Sequence, residues 1–252
     1  MTTDMNNPQT ATPSPATQPA MPHAAMPHAA MPHAAMPHAA MPHAAMPMLR
    51  AGAALSGASY AVVLVHGRGG SPESMVPLAL AAGASDGAIL APRAADGSWY
   101  PARFLAPVRQ NEPWLSSALE AVDAAVQVAV DAGIPRAHIV LSGFSQGACL
   151  SLEYAARHPA RYGAVAGLAG ALIGEDGSVR VLDAALAGTP VLLACGDRDA
   201  HIPEARVRSS GESFRLAGAT TDVRVYAGLG HEIIEDQVEA LRTLIEVVRG
   251  AT

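Results

Sequence analysis

The pentapeptide Gly-Phe-Ser-Gln-Gly, residues 143–147, follows the apolar run Ile139-Val140-Leu141 and precedes an amphipathic stretch over residues 148–157. It sets a lone serine between two glycines where a strand should become a helix. On a tight strand-to-helix turn a serine hydroxyl is pushed outward, and glycines at 143 and 147 leave room where side chains would strike the neighbouring elements. The plain alternative is a flexible Gly-Ser turn, so the other strand ends must decide.

Outward from this point, apolar runs alternate with helical patterns. Residues 60–65 (YAVVLV), 88–91, 138–141, 164–168, 191–195 and 222–226 read as strands. Helices are expected over 72–82, 113–132, 146–158, 203–216 and 232–248, the second of them opened by a proline near its first turn. Short β-rich runs separated by helices imply a mostly parallel sheet covered on both faces. The expectation is a doubly wound α/β domain.

In such sheets functional groups gather beyond the carboxyl ends of the strands. Serine is a poor nucleophile at neutral pH and needs a base in reach, itself oriented by a carboxylate. The run 191–195 leads into GDRDAHIP (196–203) and the run 222–226 into AGLGHEI (227–233). Ser145, Asp199 and His231 thus follow in the order nucleophile, acid, base. Asp197 is the rival acid, but Asp199 lies midway in its loop before Pro203. His201 is the rival base, yet its own loop would then furnish both partners, whereas His231 arrives on a separate loop beside Gly230. The run 60–65 ends in HGRGG (66–70), where the backbone N–H of Arg68 could join that of Gln146 as an oxyanion donor. HGRGG lacks the Gly-Lys-Ser/Thr ending of a phosphate-binding P-loop.

Composition bounds the rest. The 252 residues suit one domain with a tail, and the formal net charge of −6 gives no electrostatic case for nucleic acid. No apolar run is long enough to span a membrane. The first arginine is Arg50, with neither a basic nor an apolar leader before it, so the cytoplasm is the expected location. Cys149 and Cys195 read as buried small hydrophobes.

Residues 1–47 stand apart, with MPHAA repeated five times from Met21 to Ala45. Proline every five residues breaks helices and blocks sheet ladders, so residues 1–47 are expected to be a disordered tail and 48–252 the folded domain. Its histidines, His23, His28, His33, His38 and His43, could bind metal ions; a tether without chemistry is the blander reading.

Taken together, LVHGRGG (64–70), GFSQGA (143–148), GLAGAL (167–172), GDRDAHIP and GLGHEI (228–233) resemble the phospholipase/carboxylesterase family of α/β-hydrolases, which includes acyl-protein thioesterases and small bacterial carboxylesterases. The resemblance implies an α/β-hydrolase fold, Ser145, Asp199 and His231 as catalytic triad, Arg68 and Gln146 as oxyanion donors, and no cofactor or metal. Residues 98–115 resemble the aromatic insert of the bacterial carboxylesterases, and Trp99, Tyr100 and Phe104, with Leu172, are expected to wall the substrate pocket. The implied activity is hydrolysis of a small-molecule carboxylic ester of small or medium acyl or aryl type. A thioesterase or lysophospholipase, or a non-catalytic binding module on the same scaffold, are the alternatives, and assembly as a homodimer is left open.

Overall fold

The computed structural model describes residues 41–175 and 177–251. The chain divides into two units, 1–35 and 36–252, and every described residue belongs to the second. The expectation for residues 1–40 therefore lies outside the described residues.

Seven strands form one sheet: β1 (Leu49–Gly52), β2 (Ala61–Val65), β3 (Ala88–Ala91), β4 (Ile139–Phe144), β5 (Ala164–Leu168), β6 (Pro190–Gly196) and β7 (Thr220–Tyr226). Their order is β1-β3-β2-β4-β5-β6-β7, and all neighbours are parallel except β1 with β3. Among the described residues five α-helices accompany them: α1 (Pro72–Ala81), α2 (Trp114–Asp131), α3 (Gln146–Arg157), α4 (Glu204–Leu216) and α5 (Glu235–Gly250). This is the mostly parallel, doubly wound α/β architecture expected from the alternation of runs, and it agrees with the α/β-hydrolase fold that the resemblance implies.

Strand β2 explains the layering. A strand points successive side chains to opposite faces, and all five residues of β2 are buried. Val62 and Leu64 pack with Met75 and Ala79 of α1 and with Leu241 and Ile245 of α5. Ala61, Val63 and Val65 join Leu115, Val122 and Val126 of α2, Leu150 of α3 and Phe214 of α4 on the other face. Each such valine or leucine contributes about 1.5–3 kcal/mol by leaving water. In α5 the buried residues Ala240, Leu241, Ile245 and Val248 fall on one face at helical spacing, which seats it flat on the sheet.

Strand β1 was not read from the sequence. Leu49-Arg50-Ala51-Gly52 is short, half exposed and lacks β-branched residues, and it is held by pairing antiparallel to β3 at the sheet edge. The expected border between residues 47 and 48 is also corrected. Residues 41–47 fold onto the domain, with His43 buried and its N–H donating to Ser117 Oγ. The imidazole finds polar partners there that periodic proline gave no reason to expect.

Register decides what meets at the carboxyl edge. Val65 lies opposite Gly143, so the turn after β2 and the turn after β4 sit side by side. Chain order reverses between these two strands, which opens the crevice where doubly wound sheets hold their ligands.

Candidate active site

Ser145 occupies the turn between β4 and α3 with φ 56° and ψ −120°, a conformation a side-chain-bearing residue rarely adopts. The flanking glycines explain how the turn stays so tight. A Cβ at Gly147 would collide with the carbonyl oxygen of Val65, and one at Gly143 would collide with the backbone of Gly147. The strain lifts the Ser145 side chain off the sheet edge and aims it at the loop after β7.

His231 stands on that loop. Its Nε2 lies 2.7 Å from Ser145 Oγ and its Nδ1 lies 2.6 Å from Asp199 Oδ2. The other carboxylate oxygen of Asp199 accepts from the N–H groups of His201, at 2.8 Å, and Ile202, at 3.0 Å. Fixed on both oxygens and with its side chain wholly buried, Asp199 offers Oδ2 to the imidazole and holds the Nδ1–H tautomer. That leaves Nε2 free to accept from the serine. Phe144 packs against the His231 ring, with centroids 5.0 Å apart.

The rival residues take other places. Asp197 is exposed and accepts from the N–H of Gly228, bracing the loop that carries His231. His201 meets His231 edge-on with ring centroids 4.9 Å apart, beside the cleft.

At the mouth of the turn, the N–H groups of Arg68 and Gln146 have no acceptor among the described residues. The side chains of the same two residues fix the insert. Gln146 accepts from the N–H of Trp99 and donates to the carbonyl of Tyr100, both within 2.9 Å. The Arg68 guanidinium donates to the carbonyls of Tyr100, Pro101 and Ala102. Asn111, fully buried, accepts from Ala102 N–H and donates to the Arg103 carbonyl.

Turn and insert are joined further by His66. The Ala94 N–H donates to His66 Nε2, so the ring carries its proton on Nδ1, which donates to the Gly67 carbonyl. Burial holds this imidazole below the ordinary histidine range, outweighing that carbonyl bond, and keeps it neutral. The Gly69 N–H donates to the Gly97 carbonyl at 2.7 Å.

The cleft above Ser145 measures about 290 Å³ and is bordered by Arg68, Tyr100, Arg103, Phe104, Cys149, His201 and Ile202 besides the hydroxyl, amide and imidazole groups. Tyr100 and Phe104 thus line it as expected, whereas Trp99 and Leu172 do not. Trp99 is wholly buried because its indole N–H seeks the His66 carbonyl at 2.8 Å, which turns the ring under the insert. Leu172 is buried, with its N–H donating to Ser210 Oγ. Arg103, Cys149, His201 and Ile202 were not foreseen as lining. Their loops and helix were legible, but which way each side chain points was not. Cys149 is pushed up to about 12 by burial and stays a thiol.

Fold and turn geometry together place the protein among the α/β-hydrolases. Residues 53–249 match the phospholipase/carboxylesterase family model, and the chain belongs to that family. A phospholipase/carboxylesterase from Dyadobacter fermentans is 36% identical, with a TM-score of 0.75 over 80% of this chain and 96% of its own. A carboxylesterase from Mesorhizobium loti shares the fold at 23% identity, with a TM-score of 0.61 over 76% of this chain and 91% of its own. Among curated relatives, acyl-protein thioesterase 1 of Gibberella zeae is 27% identical over 48% of this chain and 52% of its own. A probable carboxylesterase of Oryza sativa is 29% identical over 54% of this chain and 52% of its own. The chain spans about half the length of these two curated relatives. Among the described residues, no helix is long and apolar enough to cross a membrane.

Proposed function

We propose that the protein hydrolyses small carboxylic esters through an acyl-enzyme on Ser145. One observation carries the reading: an unbroken hydrogen-bonded chain from Ser145 Oγ through both nitrogens of His231 to Asp199. Ser145 Oγ attacks the ester carbonyl carbon while its proton passes to His231 Nε2. The carbonyl oxygen becomes an oxyanion and takes hydrogen bonds from the N–H groups of Arg68 and Gln146, each such donor being worth about 10²–10³ in rate. As the tetrahedral intermediate collapses, the bond to the alcohol oxygen breaks, and His231 returns the proton to that leaving group. Water then enters, loses a proton to His231 and releases the acid, regenerating Ser145. Asp199 keeps the imidazole oriented and offsets its transient positive charge.

The cleft sits at the small end of ligand pockets, and its apolar border of Tyr100, Phe104 and Ile202 suits a short acyl chain or an aryl group. The two buried cysteines, Cys149 and Cys195, are free, which is compatible with work in the cytoplasm. A second reading, hydrolysis of thioesters, draws on the thioesterases among the relatives and would use the same residues. Rates on nitrophenyl esters from acetate to palmitate, set beside matched thioesters, separate the two. The ester reading expects the highest kcat/KM on short oxygen esters. A preference of more than tenfold for thioesters or for palmitate would overturn it.

A further inference from the structure

The imidazole of His43 is built into the fold through both of its nitrogens. Ala95 N–H donates to Nδ1 at 3.0 Å, so the ring is neutral with its proton on Nε2, which donates to the Trp99 carbonyl at 2.9 Å. The backbone N–H of His43 donates to Ser117 Oγ, and a turn closes around the residue through Met46 N–H to the His43 carbonyl. Its ring also meets both tryptophans of the chain edge-on, with centroids 5.3 Å from Trp99 and 5.7 Å from Trp114. Trp99 thereby has its carbonyl on His43, its N–H on Gln146 and its indole on the His66 carbonyl. His43 therefore bears directly on the insert that touches the cleft and, through Trp99, on the residue after Ser145.

Such a socket needs a rigid ring with a donor on one edge and an acceptor on another, and alanine, methionine and proline supply neither. The seated heptapeptide is MPHAAMP, residues 41–47, and the same seven residues recur at 36–42. Five residues separate His43 from Leu49 of β1, and ten separate His38 from it. Doubling a loop lowers its closure probability only about threefold. We propose that this socket is a binding site for one MPHAAMP unit, that residues 36–42 fill it when His43 is lost, and that the seated imidazole positions the oxyanion turn and pocket wall.

The test uses three full-length chains: the native protein, a chain with His23→Ala, His28→Ala, His33→Ala and His43→Ala that keeps only His38 of the five tail histidines, and a chain with all five tail histidines replaced by alanine. Amide exchange over residues 94–104, tryptophan emission, and kcat and KM for nitrophenyl acetate are read on each. The chain keeping His38 is expected within about threefold of native in exchange protection, with native-like emission. The chain without tail histidines should exchange at least tenfold faster over 94–104, with shifted emission and a fall in kcat larger than any rise in KM. Equal exchange in the two variants overturns the shared socket, and native exchange in the fivefold variant overturns the positioning role. If the fivefold variant does not fold, recovery of folding in the chain keeping His38 supports the proposal and failure of both overturns it. The kinetic arm rests on the esterase reading. The exchange and emission arms do not, so the two can fail separately.

Discussion

At the scale of single residues, the turn at Ser145 combines strain with confinement. Its left-handed backbone costs about 1–3 kcal/mol, which Ser145→Gly relieves and Ser145→Ala does not. Both substitutions are expected to lower kcat/KM by about 10⁶, while Ser145→Gly unfolds at a higher denaturant midpoint than Ser145→Ala. Equal midpoints would contradict the strain. Gly147→Ala drives a methyl group into the Val65 carbonyl and is expected to destabilise by about 1–3 kcal/mol or to prevent folding, measured by the same unfolding experiment. Sequence made Ser145, Asp199 and His231 legible because each sits just past a strand and its neighbours are turn residues. Trp99 misled because loop composition says that aromatics are present and not which of them finds a carbonyl for its N–H.

Among the elements, α3 carries more than the serine. Glu153 is buried on it, bonded to Arg157 of the same helix, to Arg180 and to the N–H of Ile173. Burial alone would raise its carboxyl, but the two guanidinium groups outweigh this and hold it below the usual glutamate range. Glu153→Ala strands both arginines and the Ile173 amide and is expected to cost about 3–5 kcal/mol in urea unfolding; a loss under about 1 kcal/mol would show the network to be idle. Strands β2 to β6 were legible because buried parallel strands write themselves as short apolar runs. Strand β1 was not, since its order comes from pairing with β3 and not from its own side chains. The last MPHAA unit escaped for a related reason: proline spacing describes what the segment cannot form alone, whereas its seat is made by Trp99, Ala95 and Ser117.

Across the whole molecule, two neutral imidazoles, His43 and His66, are buried where the tail, the turn after β2 and the insert meet. Burial lowers both below the ordinary value, against the pull of their carbonyl bonds. The unfolded chain takes up protons near pH 6.5 while the folded chain resists until lower pH, so stability is full above about pH 6.5 and falls below it. The denaturant midpoint at pH 5.5 is expected below that at pH 7.5, and equal midpoints would contradict the burial of neutral rings. The most direct measurement of the central claim is mass spectrometry of the protein after treatment with a fluorophosphonate, which phosphonylates activated serines. One adduct on Ser145, lost in His231→Ala, is the expected result. An active esterase that carries its adduct on another residue, or none at all, would contradict the account.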